Sequence, residues 1–197
     1  VYGYQFQIIM ENIHAEVYSK LLDDIVRDRE EKAMLFNAIE TIPSVKSMAD
    51  WAFRWIESTS HISYRIVAFI IVEGIFFSGA FAAIFWLKKY KMRNKAMSGT
   101  NAKLFMNSLI SANKLISRDE RLHYEYGCEV YKLLSHKLKQ EEINEMLIES
   151  IKISQQFMTD ALPVRLIGMN EDIMNQYIEY IGDRLLLMLG YKKIFNK

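Results

Sequence analysis

The chain has 197 residues, 51% of them hydrophobic, and a formal net charge of +1. That length supports one domain with a sizeable core, and the near-neutral charge offers nothing to a nucleic acid or an anionic membrane. Its one cysteine, Cys128, excludes an intrachain disulfide and suits a reducing compartment, so a cytoplasmic location is expected.

Only two prolines and eight glycines interrupt the sequence, which favours long helices over many short strands. A first helix is predicted over about 3–27, with apolar residues at Phe6, Ile9, Met10, Ile13, Val17, Leu21, Leu22 and Ile25. The chain starts at Val1, already inside that pattern, and is expected to be the interior part of a longer protein. No charged segment precedes an apolar run there, so no signal peptide is expected. Within this helix Glu11, His14 and Tyr18 fall at i, i+3 and i+7, which lines up a carboxylate, an imidazole and a phenol on one stripe.

The charged cluster from Arg27 to Lys32 marks a turn, followed by a helix over about 30–41 that ends at Pro43. A third helix is predicted over about 44–58, with Trp51 and Trp55 at i, i+4 as packing residues. Residues 61–89 are the most hydrophobic part, and from Ile66 to Leu87 a single charge, Glu73, interrupts them. On length alone this run is a transmembrane candidate. The charged helices around it favour instead a helix buried in a bundle, with Glu73 facing something cationic, because an unpaired buried carboxylate is costly. Residues 90–103, rich in lysine and small polar residues, are expected to be a mobile loop. Helices follow over about 104–136, 140–160 and 171–189. An irregular end is expected from Gly190 to Lys197. The whole, 1–197, reads as a single all-α domain.

The Glu-x-x-His pair of the first helix recurs as Glu120 and His123. Two such helices, with lone acids on two others, form the ligand pattern of ferritin-like di-iron carboxylate bundles. Three of those four helices are present here. Glu11, His14, Glu73, Glu120 and His123 offer three carboxylates and two imidazoles, a donor set for a dinuclear iron or manganese site rather than for zinc. Asp119 is placed to orient an imidazole through its other N–H, or to pair with Arg118 on the surface. Glu73, Phe77 and Phe81 share one helix face, as do Ile116, Glu120 and His123. If both faces meet the first helix, Tyr18 sits one turn beyond the metal in an apolar pocket of Phe77, Phe81 and Ile116. Ordinary core packing would explain those three residues equally well.

At these residues the sequence resembles the small, radical-generating subunit of class I ribonucleotide reductase, in its eukaryotic form. The likeness rests on MENIHAEVYS (10–19), LFNAIETIPSVKSMADWAFRWI (35–56), VAFIIVEGIFFSGAFAAIFWLKK (67–89), LISRDERLH (115–123), ALPVRLIGMN (161–170) and YIEYIGDRLLLMLGY (177–191). The resemblance implies a ferritin-like fold and two iron ions. Glu11 and His14 would ligate the first; Glu73, Glu120 and His123 would ligate the second, with Glu11 and Glu120 bridging. It further implies that Tyr18 carries a stable radical, that Phe77, Phe81 and Ile116 seal it, and that Asp119 lies on a hydrogen-bonded radical route. The partners implied are a large subunit that reduces ribonucleotides and a second copy of the chain. The alternatives are another di-iron carboxylate oxidase or hydroxylase, and a non-catalytic assembly partner.

Three departures from the family pattern stand out. The remaining first-iron aspartate and a route tryptophan would lie before Val1, and the tail that binds the large subunit would lie beyond Lys197. The segment 90–114 is longer than expected and poorly matched. Arg121 stands where glycine is usual, which puts a bulky cation beside Glu120 and His123.

Overall fold

Every long segment is helical among residues 2–93, 100–162 and 169–197, which the computed structural model describes. The chain runs through α1 (Tyr2–Ile25), α2 (Arg29–Phe36), α3 (Ala38–Thr41), α4 (Pro43–Ile56) and α5 (Ile62–Ile71) into a π-helical turn (Val72–Phe76). It continues through α6 (Ser78–Arg93), α7 (Thr100–Leu133), α8 (Gln140–Ala161) and α9 (Glu171–Leu189). Local chemistry sets several boundaries. Asp28 opens α2 by accepting the Glu31 N–H at 2.8 Å, and Asn170 opens α9 by accepting that of Ile173 at 3.0 Å. Pro43 takes the first turn of α4, where its missing N–H costs nothing. Gly190 ends α9 with φ 88°, a left-handed conformation that glycine adopts without strain.

The core forms where α5 and its π turn meet α4, α7, α8 and α9. Val67, Ile70, Ile71, Ile75, Ile143, Leu147, Ile178 and Leu186 are wholly inaccessible to solvent. Each such side chain contributes about 1.5–3 kcal/mol through burial. The run from Ile62 to Leu87 is long and apolar enough to cross a membrane. Its middle is instead the centre of the bundle, packed on several sides, so its hydrophobicity is used in core contacts. At Gly74 a Cβ would come within 2.8 Å of Leu185 Cδ1, so α9 can lie against the π turn only because that position is bare.

Several expected boundaries move. The helix expected over 30–41 is interrupted at Asn37, whose side-chain amide donates to the Ala33 carbonyl at 2.9 Å and competes with the helical pattern. The loop expected over 90–103 is helical wherever it is described, because α6 continues to Arg93 and α7 begins at Thr100. Residues 94–99 and 163–168, the latter including Pro163 and most of the 161–170 motif, lie outside the described residues.

Of the eight apolar positions expected to face inward on α1, Met10, Val17, Leu21 and Leu22 are half-buried. Phe6, Ile9, Ile13 and Ile25 are exposed, and the buried residues of α1 are Gln7 and His14. The helix packs on α7 through its polar stripe, because the groups that stripe meets on α7 and the π turn are themselves polar.

The irregular segment after Gly190 is anchored. Asp183, wholly buried, accepts the N–H groups of Ile194 at 2.9 Å, Phe195 at 3.0 Å and Lys197 at 2.9 Å. Burial by itself would raise the carboxyl pKa. The three N–H donors outweigh it and hold the carboxyl below the ordinary aspartate value. Because the folded pKa is depressed, this contribution is complete above the unfolded value near ~3.9 and is lost as pH falls below it. Asp183→Ala should therefore cost about 2–4 kcal/mol at neutral pH. Urea unfolding of both proteins at neutral and acid pH checks this, since the gap between them must narrow in acid.

Candidate metal centre

Three helical segments supply the charged groups at the centre of the bundle. From α1 come Gln7, Glu11, His14 and Tyr18, spaced four, three and four residues apart so that they share one face. Glu73 comes from the π turn, where the extra residue per turn rotates its side chain relative to the α-helical frame on either side. From α7 come Asp119, Glu120 and His123.

The ligand-type atoms of Glu11, Glu73, Glu120 and His123 all lie within 4.8 Å of one another. His14 completes the group from the other side. Each of two carboxylates divides its oxygens between the two imidazoles. Glu11 places Oε2 3.6 Å from His14 Nδ1 and Oε1 2.9 Å from His123 Nδ1. Glu120 places Oε1 3.0 Å from His14 Nδ1 and Oε2 3.5 Å from His123 Nδ1. Glu73 Oε2 lies 3.6 Å from His123 Nδ1. The imidazole centroids are 6.1 Å apart.

These groups converge without satisfying one another. Glu11 Oε1, His14 Nδ1, Glu73 Oε2, Glu120 Oε2 and His123 Nδ1 are all buried and lack a hydrogen-bond partner. Buried polar atoms are normally paired, and five orphans aimed at one small volume form a cradle for cations. Oxygen and imidazole donors in this ratio suit iron or manganese.

The electrostatics agree. Burial, then the Glu120 and Glu11 charges, push the Glu73 carboxyl up to about 8, against the pull of His123. Burial disfavours a charged His123, but Glu11, Glu120 and Glu73 overcome it and push the imidazole up to about 11. Burial likewise opposes ionisation of Glu120, and contacts with His123, Glu73 and His14 reverse that and hold it below the usual value. Protons thus hold the site together, and a multivalent cation can take their place.

Asp119 does both things its sequence position allowed. Its Oδ2 meets His14 Nε2 at 3.4 Å, and its Oδ1 accepts from Arg118 at 3.0 and 3.2 Å. The imidazole is thereby held with Nδ1 facing Glu11 and Glu120. Arg121 points away from the centre, where its Nε donates to Glu125 Oε1 at 2.6 Å, and its side chain is 62% exposed. Gln7 was not foreseen. It is buried, and its Nε2 donates to Glu73 Oε1 at 3.2 Å. Its position one turn before Glu11 was the available signal.

The apolar pocket is less complete than expected. Ile116 is buried, and Phe77 and Phe81 have ring centroids 6.3 Å apart. Tyr18, however, is 40% exposed and Phe77 39%. Burial, followed by the charges of Glu120 and Glu11, still pushes the Tyr18 phenol up to about 12.

Comparison with known proteins places this geometry in context. Residues 2–197 match the family model described as "Ribonucleotide reductase, small chain". The chain is 51% identical over 194 residues to the human ribonucleoside-diphosphate reductase subunit M2, covering 98% of this chain and 46% of that protein. It is 52% identical over 195 residues to the small chain of Spisula solidissima, covering 98% and 47% respectively. Among solved structures it superposes on the ribonucleotide reductase Rnr4 homodimer of Saccharomyces cerevisiae with a TM-score of 0.82. The identity there is 34%, over 98% of this chain and 57% of that one. The chain thus spans about half the length of the curated relatives it matches. A helical bundle with a buried Glu/His cluster, matched along nearly its whole length by one family, belongs to the ribonucleotide reductase small-chain family.

Proposed function

We propose that this chain acts as the radical-generating small subunit of a ribonucleoside-diphosphate reductase. The observation that carries the reading is the pair of carboxylates, Glu11 and Glu120, each dividing its oxygens between His14 and His123. Such carboxylates can bridge two ions about 3.5–4 Å apart. Glu11, His14 and Glu120 would hold the first, and Glu11, Glu73, Glu120 and His123 the second. Iron is the proposed metal, with manganese compatible with the same donors.

Bound iron would supply the activation of O2 and the oxidising power that removes an electron from a phenol. The protein's part is to hold and protect that phenol. Tyr18 lies one turn beyond His14 on the ligand stripe, and burial, then the Glu120 and Glu11 charges, raise its pKa to about 12, so it is protonated at neutral pH as an ordinary phenol is, with a wider margin. Losing an electron therefore means giving up the phenolic proton as well. Phe77, Phe81 and Ile116 would supply its apolar surroundings, and Asp119, paired with His14, would offer a hydrogen-bonded way out of the site. The radical would pass to a large subunit that reduces ribonucleotides to deoxyribonucleotides. The likeness to a homodimer supports pairing of two copies. A single buried cysteine fits a reducing, cytoplasmic setting.

The second reading is a non-catalytic assembly partner that keeps the ligands but does not store a radical. Electron paramagnetic resonance after Fe(II) loading and O2 exposure separates the two. The proposed function requires a tyrosyl signal that Tyr18→Phe abolishes. Normal iron loading without a radical in the unaltered chain would favour the partner.

Glu73→Ala should lower the metal content measured by plasma emission, since one ion loses a carboxylate. Asp119→Asn should weaken metal binding about 10–100-fold, because His14 loses the group that orients it. Metal uptake should also tighten as pH rises. Glu73 near 8 and His123 near 11 must shed protons before they can ligate. Calorimetry in buffers of different ionisation heat should then register proton release on binding, and equal apparent heats would count against it.

A further inference from the structure

Trp51 and Trp55, whose spacing marks them as packing residues, belong to a longer aromatic series. Phe76 closes the π turn three residues after Glu73. Its ring meets that of Trp51 edge-on, with centroids 5.3 Å apart. Trp51 lies 6.1 Å from Trp55, and Trp55 stacks on Tyr64 at 5.9 Å with the rings 5° from parallel. Trp55 and Glu73 also line one cavity of about 380 Å³. The far end of the series opens on a pocket of about 460 Å³, lined by Arg54, Trp55, Tyr64, Glu142, Glu145 and Glu149. The rings therefore lead from the turn that carries a metal-site acid to the protein surface.

Packing alone accounts for rings in contact. It does not account for where the carboxylates sit. An indole or phenol that loses an electron becomes a far stronger acid at its N–H or O–H, so one-electron oxidation is easier where a base waits at that atom. Trp51 Nε1 donates to Glu149 Oε2 at 3.0 Å, and Tyr64 Oη donates to Glu142 Oε1 at 2.5 Å. Between them, Trp55 Nε1 is buried with no hydrogen-bond partner. Both outer members thus have a carboxylate at that atom, although Glu149 Oε2 also accepts from Arg54 at 2.5 Å, which makes it the weaker base of the two. The middle one has none, and the Arg54 guanidinium lies 5.7 Å from its ring centroid, so a positive charge there keeps its proton and is driven on rather than settling.

We propose that Tyr64, Trp55 and Trp51 form a one-electron relay that carries electrons from a donor at the Tyr64 pocket to the Glu/His centre. The proposal rests on the reading of that centre as the seat of a metal-based one-electron oxidant. One electron leaves Trp51 for that oxidant, which is reduced by one, and the indole proton passes to Glu149. Trp55 returns an electron to Trp51 as Glu149 returns the proton, and Tyr64 then returns one to Trp55. In doing so Tyr64 gives its phenolic proton to Glu142 and becomes a neutral phenoxyl. A one-electron donor in the pocket reduces the phenoxyl while Glu142 gives the proton back. With three carboxylates to one guanidinium on its walls, the pocket suits a neutral or cationic donor. The net change is one electron moved from donor to centre, with every proton restored.

The test starts with the metal-free chain. Azide radicals made by pulse radiolysis oxidise tryptophan, and transient absorption follows the resulting hole. The expected result is indolyl decay matched by first-order phenoxyl growth that does not depend on protein concentration. Tyr64→Phe keeps the stacked ring and should remove most of the phenoxyl yield. Glu142→Gln should slow its growth about a hundredfold, the lower end of what a positioned proton acceptor contributes. Unchanged yield and rate in Tyr64→Phe would overturn the relay.

A second arm loads the Tyr18→Phe chain with Fe(II) and O2 in the presence of a nitroso spin trap, and mass spectrometry locates the adducts. An adduct on Tyr64 that disappears with Trp55→Phe, while iron oxidation proceeds, supports transfer to the centre. Iron oxidation with no adduct on Tyr64 overturns it. Absence of iron oxidation overturns the reading of the centre itself, and the radiolysis arm still decides the relay.

Discussion

The mutual repulsion of three carboxylates held within a few ångströms of one another, in the middle of a helical bundle, governs this structure. Glu11, Glu73 and Glu120 cannot all ionise there without cations between them. In the metal-free chain burial, then the neighbouring carboxylates, push the Glu73 carboxyl up, and Glu11, Glu120 and Glu73 together hold the proton on His123. Such an assembly is a poor source of stability, because desolvation offsets much of the attraction. It is a good site for metal ions, whose charge the orphaned oxygens and nitrogens are aimed to meet.

Two irregularities of the fold follow from that constraint. The first is the π turn at Val72–Phe76, which interrupts an otherwise regular apolar helix at the one acid in it. An added residue in the turn reorients Glu73 toward the centre, while Val67, Ile70, Ile71 and Ile75 on either side stay in the core. The second is α1, which turns its polar stripe, with Gln7 and His14 buried, toward α7 and the π turn. Here the groups waiting on α7 and the π turn are charged, so the matching face of α1 is the one carrying Gln7, Glu11 and His14.

The same turn also joins the charged centre to the aromatic wall of α4 and α5. Phe76 touches Trp51 two residues beyond Gly74, whose missing side chain admits α9 on the other side. Packing, the proposed metal ligation and the proposed electron relay thus share five residues of backbone. That concentration gives a physical reason for a helical defect, since no regular helix presents an acid and an aromatic ring to the required neighbours at once.

Much of the molecule was legible in the sequence. Helix periodicity and the scarcity of proline and glycine determined an all-α chain. The repeated Glu-x-x-His pair, with Glu73 inside an apolar run, determined the five candidate ligands, because residues three apart share a helix face wherever the helix goes. Spacing along one helix could not say which face meets which neighbour, and so the tertiary structure decided the rest. It decided that α1 packs by its polar stripe, that Gln7 joins Glu73, that Arg121 turns to Glu125 and solvent, and that Tyr18 is only partly covered. It also decided the π turn, which leaves no periodic mark because it is a response to contacts on several sides at once. Helical residue type and spacing are local properties and can be read along the chain. The convergence of Glu11, His14, Glu73, Glu120 and His123 is set by packing between segments as many as 112 residues apart, since 123 − 11 = 112.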